Sequence, residues 1–132
     1  MNTPDDRAGV LLHLVPSAEW DAGGGGRVDY RPAGAAVGDF LHLSSPEQVL
    51  VPAGRIFAGR DDLVVVLVDP DRLTGELRWE DGDPPEGGMQ FPHLYPVDGR
   101  PAAIPPTAVL GVRPLELGAD GRHLPPDVTP AP

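Results

Sequence analysis

Apolar runs along this chain are short and sharply bounded, and each bound carries a turn residue. Val10-Leu11-Leu12-His13-Leu14-Val15 lies between Gly9 and Pro16 and predicts a buried strand. Ser17-Ala18-Glu19-Trp20 predicts a capped helical turn, stopped by Gly23 to Gly26, which read as a flexible turn. Asp39-Phe40-Leu41-His42-Leu43 predicts a second strand. It runs into Ser45-Pro46-Glu47-Gln48, where Ser45 suits an N-cap, Pro46 the first helical position and Gln48 the closing side of a capping box. Val49, Leu50, Ala53, Ile56 and Phe57 continue at helical spacing. Pro52 and Gly54 interrupt them, so this helix is expected to be short or bent.

Leu63 to Val68 is uncharged and rich in valine, the pattern of a strand buried on both faces. A turn at Pro70-Asp71-Arg72-Leu73 precedes Glu76-Leu77-Arg78-Trp79-Glu80, which alternates as a half-exposed strand should. Residues 81–88 read as a polar loop, and Phe91 to Tyr95 and Ala108 to Leu115 as the last ordered pieces. Asp120-Gly121 is a hairpin signal. The whole reads as a small α+β domain over residues 9–123, mainly β with one or two short helices. A disordered N-terminus (1–8) and a flexible tail (124–132) are expected at its ends.

Composition changes this picture in three ways. The 17 glycines and 18 prolines exceed a quarter of the 132 residues, a level at which disorder becomes the prior. Here they punctuate apolar segments, so they mark loops, and twelve of the prolines lie beyond residue 80. Loops 81–88 and 98–106 flank Phe91 to Tyr95, which is where a lid over a site is expected. The chain has no cysteine, which excludes disulfides, a thiolate nucleophile and Cys-ligated zinc. All ten basic residues are arginine, so Schiff-base and P-loop lysine chemistry are excluded. With a formal charge of -10 and scattered arginines, nucleic acid and anionic membranes are disfavoured as partners. No apolar run approaches the ~18 residues of a membrane span, and Met1 to Arg7 lacks the layout of a signal peptide. A cytoplasmic protein is expected.

Three of the four histidines, His13, His42 and His93, fall within predicted strands. A single strand histidine is commonly a hydrogen-bonded core residue. Three in so small a domain point to a shared cleft, where imidazole can position a substrate or move a proton near neutrality. The same three permit a zinc site with open water, although no two have the close helical spacing of a local ligand pair, and no metal is expected. Ser44 follows His42 without the Gly-x-Ser-x-Gly elbow of a nucleophile, and instead offers a hydroxyl beside a helix N-terminus for a phosphate. Arg31, in Tyr30-Arg31-Pro32, is a candidate anion contact. Glu80 either enters the cleft or ends its strand in solvent, and His123 is read as a surface residue.

The order of these pieces carries a resemblance. Leu12-His13, Ser17-Ala18-Glu19-Trp20, Tyr30-Arg31-Pro32, Asp39 to Ser44, Pro46-Glu47-Gln48-Val49, Val68-Asp69-Pro70, Leu77 to Glu80 and Phe91 to Tyr95 follow one another. From about residue 10 to 117 the chain resembles the small bacterial family catalogued as domain of unknown function 952. That resemblance implies an ADP-ribosyltransferase-like fold near the RNA 2′-phosphotransferases: a bent, split β-sheet with an NAD-binding cleft between its halves. It implies His13 at the NAD ribose, His42 at the second-strand position with Ser44 beside it, and His93 and Tyr95 in the same cleft. The implied catalytic set is His13, His42 and His93, and the implied NAD-binding set is His13, Tyr30, Arg31, His42, Ser44 and Tyr95. The glutamate usual in that superfamily is absent from its standard place. Tyr95-Pro96-Val97 stands where relatives continue Tyr-Gly-Pro, and Gly54 where an Asn is common. The expected activity is ADP-ribosyl transfer from NAD, with a small-molecule nucleotide as partner. The alternatives are a non-catalytic nucleotide-binding domain and a three-histidine metal hydrolase.

Overall fold

The computed structural model describes residues 9–86 and 88–130, so the disordered N-terminus expected over residues 1–8 lies outside the described residues. Strand β1 (Leu11–Pro16) is followed by helix α1 (Ser17–Ala22), strand β2 (Leu41–His42), helix α2 (Leu50–Ile56) and strand β3 (Leu63–Val68). Strands β4 (Glu76–Glu86), β5 (Met89–Tyr95) and β6 (Val109–Leu115) complete the order. The strands form two antiparallel three-stranded sheets, β1-β3-β6 and β2-β5-β4. The α+β reading is met.

Side-chain alternation explains both cores. Strand β3 is central in the first sheet, which is why its apolar run is unbroken. Its Val66 and Val68 face one core with Leu11 and Val15, and its Leu63, Val65 and Leu67 face the other with Leu12 and Leu115. The second core is closed by Val49 and by Ala53 of α2. The first core is shared with the other sheet through Leu41, Leu43, Leu77, Trp79 and Leu94, and with Trp20, Tyr30 and Ile104. Residues on the opposite face of β2-β5-β4, including His42, His93, Arg78 and Glu80, are thereby turned away from that core.

The two sheets meet along one seam. Edge strand β1 and the residues after β2 make an isolated bridge, with Leu12 N–H donating to Ser44 O at 2.7 Å and Ser44 N–H to Leu12 O at 2.8 Å. The β-structure is split at this point, and the candidate site lies beside it.

Several expectations are corrected. The strand expected from Asp39 to Leu43 is only two residues long. The Asp39 carbonyl accepts from Ala102 N–H outside the sheet, and Leu43 N–H still donates to Pro92 O of β5, but Pro92 has no N–H to return the bond. The helix expected from Pro46 begins at Leu50. Inside a helix started at Pro46, Pro52 would lack a needed N–H and clash one turn back; in α2 it falls in the first turn, where that N–H has no partner anyway. The Ser45 to Gln48 bond forms nevertheless, as Ser45 N–H to Gln48 Oε1 at 3.1 Å, closing a turn ahead of the helix. Residues 81–86, read as loop, continue β4 with an irregular register against Gln90 and Met89.

Gly23 to Gly26 form a fitted turn. A Cβ on Gly23 would lie 2.6 Å from Cδ1 of Tyr30, and Gly24, Gly25 and Gly26 take φ of 109, 60 and 89°. Loop 98–106 is likewise bound in place, by Tyr30 and Ile104 pairing both ways at 2.9 Å. The segment read as a tail is tied at three points among its described residues, the first being Leu124 N–H donating to Glu116 O at 2.7 Å. Val128 packs on the second core, and Arg113 Nη2 donates to Thr129 O at 2.6 Å.

Candidate functional site

A cleft of about 790 Å³ opens where the two sheets part. Its floor is the seam, with His13, His42, Leu43 and Ser44. One wall is the segment from Tyr30 to Phe40, and the other is α2 with Arg55 and Ile56. The loops expected to form a lid contribute little: Gly82 reaches the rim, while loop 98–106 borders a separate depression of about 150 Å³ on the far side of Arg31.

His13 sits on the core-facing side of β1, 7% exposed, with its Nδ1 2.9 Å from the His42 carbonyl oxygen. A carbonyl only accepts, so Nδ1 carries the proton and donates it. In a continued ladder a backbone N–H of β1 would serve that carbonyl; at the split the imidazole takes the place of a strand partner. Burial lowers the His13 pKa to about 4, outweighing the opposing effect of this bond, and nearby His42 lowers it further. The ring is therefore neutral near pH 7, and Nε2 carries a lone pair. Tyr30 packs beside it, ring centroids 5.3 Å apart, and Trp20 stands 5.0 Å behind Tyr30. Burial, and then the Glu19 charge, raise the Tyr30 pKa, so its hydroxyl remains a donor.

The second group of residues lies on the outer face of β2-β5-β4. His42 and His93 are cross-strand partners, with rings 5.0 Å apart and edge to face. Phe40 stacks on His93 at 4.5 Å and also contacts the rings of His42 and Tyr95. His93 Nδ1 lies 2.9 Å from Glu80 Oε1, and Tyr95 donates its hydroxyl to the same oxygen at 2.6 Å. Arg78 lies over the Tyr95 ring, 4.0 Å from its centroid. The bonds from Tyr95 and then His93 hold the Glu80 carboxyl below its ordinary range, while the Glu80 bond pushes the Tyr95 phenol up. Glu80 is thus ionised and acceptor-only, which assigns the proton of the His93 bond to Nδ1.

Of the residues singled out in the sequence, His13, Tyr30, His42, Ser44 and His93 border the cleft. Arg31 does not: its Nε donates to Pro101 O at 3.0 Å, beside the smaller depression. Tyr95 is outside the lining and adjoins it through the Phe40 ring and through Glu80 and His93. Ser44 is spent on the seam with its backbone, and α2 begins six residues later, so no helix N-terminus adjoins it. His123 is half-buried, with Nε2 2.8 Å from Arg60 O. Among the described residues, no group of three or more His, Asp or Glu side chains is disposed to hold a metal ion. No described helix is long and apolar enough to cross a membrane.

Phe40, Arg55 and Asp39 border the cleft without having been singled out. The Glu80 pairing had a usable signal: setting Glu76 to Glu80 antiparallel to Phe91 to Tyr95 puts Glu80, His93 and Tyr95 on one face.

The profile of the family described as "Protein of unknown function (DUF952)" matches residues 14–112. Protein CC0527 from Caulobacter crescentus is similar in fold and sequence. Its crystal structure has a TM-score of 0.64 at 29% identity, covering 87% of this chain and 93% of that one. Its solution NMR structure has a TM-score of 0.63 at 32% identity, covering 86% and 90%. No curated protein matches the chain.

Proposed function

The chain belongs to the DUF952 family, and from its cleft we propose that it binds NAD as a substrate and transfers or hydrolyses the ADP-ribosyl group. The observation that carries this reading is the neutral His13 ring, locked by its Nδ1 bond so that Nε2 is a fixed acceptor. A sugar hydroxyl is the natural donor to such a nitrogen. The cleft volume of about 790 Å³ falls in the range that encloses a small organic ligand. Phe40, Phe57 and Phe91 offer apolar faces for planar rings, and Arg55 a cation for a diphosphate. Cleavage at the nicotinamide ribose passes through a cation-like transition state. Carboxylates placed near it stabilise the developing charge, and Asp39 and Glu19 are the carboxylates of the lining.

Calorimetric titration with NAD, with chromatography for released nicotinamide, tests the proposal. Saturable binding and nicotinamide release are expected, with both lost in His13→Asn, which keeps a donor for the His42 carbonyl but places no acceptor at the position of Nε2. Absence of binding, or an unchanged variant, overturns it. Binding without release leaves a nucleotide-binding domain in its place.

A further inference from the structure

Glu80 is the one carboxylate whose partners in the described structure are a histidine and a tyrosine together. It is absent from the cleft lining, yet it bonds a ring that is present there. The side-chain exposures differ sharply: 38% for Glu80 and 5% for His93. Solvent therefore reaches the carboxylate while the imidazole is sandwiched between Phe40 and its strand neighbours. A ring held this way has one nitrogen committed and one remaining. Nδ1 is committed to Glu80, so in the neutral ring Nε2 carries the lone pair.

The reverse tautomer is the commoner one for a free imidazole, and the carboxylate selects against it. Tyr95 fixes the carboxylate in turn, through a hydroxyl bond to the same oxygen, and Arg78 covers the tyrosine ring. The four side chains form a chain across β4 and β5 that ends at the cleft.

We propose that Glu80 is a positioning residue that holds His93 with Nε2 as the proton acceptor of the site. This rests on the NAD reading above and adds the group that activates the acceptor. In the transfer step, the acceptor O–H gives its proton to His93 Nε2 and its oxygen forms a bond to C1′ of the nicotinamide ribose. The C1′–N bond breaks, and nicotinamide leaves with the electron pair. With water as the acceptor the same balance gives ADP-ribose, nicotinamide and a proton.

The test combines ¹⁵N spectra of the histidine rings with nicotinamide release, in the full chain and in Glu80→Ala, Glu80→Gln and His93→Ala. In the unaltered protein His93 shows Nδ1 protonated and Nε2 bare. Glu80→Ala shifts the ring toward the other tautomer and lowers turnover on the order of 100-fold with NAD affinity unchanged. Glu80→Gln retains an acceptor oxygen, so it retains the tautomer and recovers part of the rate. Unchanged His93 spectra in Glu80→Ala overturn the positioning role. A His93→Ala variant that releases nicotinamide at the original rate overturns the base. If the unaltered protein neither binds nor cleaves NAD while the Glu80→Ala spectra shift as stated, the failure lies with the NAD reading, and Glu80 stands as the residue that orients His93.

Discussion

Two imidazoles in this domain are held by the same atom and serve opposite ends. His13 and His93 each commit Nδ1 to an oxygen at 2.9 Å. The His13 partner is a backbone carbonyl at the seam between the sheets, and the ring is buried in the core that both sheets share. The His93 partner is a carboxylate on the outer face, open to solvent at 38%. A carbonyl carries no charge to hold a proton on a buried ring, so His13 stays neutral and acts as a fixed acceptor. A carboxylate bonded to Nδ1 fixes the tautomer of its partner, so His93 presents Nε2 as the acceptor nitrogen. The lesson is that the partner, more than the residue type, assigns the chemistry.

That contrast breaks most visibly at the seam. His13→Ala removes a buried ring and leaves the His42 carbonyl without its donor, a loss of about 4 kcal/mol in unfolding free energy. Chemical denaturation measures it. His13→Asn restores the donor, and its loss is expected to be about half as large.

Acid is the next largest lever. The His13 pKa is lowered from 6.5 to about 4 in the folded chain. The unfolded chain therefore binds the proton first as pH falls, so the stabilisation is whole above pH 6.5 and is lost progressively toward pH 4. About 3 kcal/mol is at stake by linkage. The Glu80 carboxyl is also lowered, so its contribution is whole above the ordinary carboxylate range and is lost from that range downward. Denaturation midpoints from pH 7 to 3 are expected to fall in two stages, and in His13→Asn the first stage flattens while the second persists. An unflattened first stage would place the titrating group elsewhere.

At the outer face the expected effect is on rate more than on stability. His93→Ala lowers nicotinamide release about 100-fold and, because it removes a buried ring stacked on Phe40, also lowers the unfolding free energy by about 2 kcal/mol. Tyr95→Phe is the mildest of the series. It removes one of the two bonds to Glu80, and a rate loss of about tenfold with unchanged NAD affinity is expected from single-turnover and calorimetric measurements.

The outer face was the more legible region in outline and the less legible in detail. Alternation in Glu76 to Glu80 and the buried run Leu63 to Val68 placed β4 and β3 directly, since a period of two or none at all is a local property. The three cleft histidines were also visible as strand residues. Cross-strand register is not local, and that is why the Glu80, His93 and Tyr95 set was missed while Tyr95 was read as a ligand contact. Arg31 was misplaced for a similar reason: its partner, Pro101, lies 70 positions away. Helix α2 was located but started too early, because Pro46 fits a helix start, whereas Pro52 is accommodated only in the first turn and so moves the start to Leu50. The glycine tract was read as a flexible turn and the proline-rich loop 98–106 as part of a lid, yet both are fitted to Tyr30 and its neighbours.

The most direct measurement follows the ¹⁵N signal of His13 Nε2 during a titration with NAD at neutral pH. The expected result is a bare, lone-pair nitrogen in the free protein whose signal moves to that of a hydrogen-bonded acceptor as NAD saturates the calorimetric isotherm. An Nε2 that is protonated in the free protein, or that keeps its signal when NAD is bound, contradicts His13 as the anchor of the cleft.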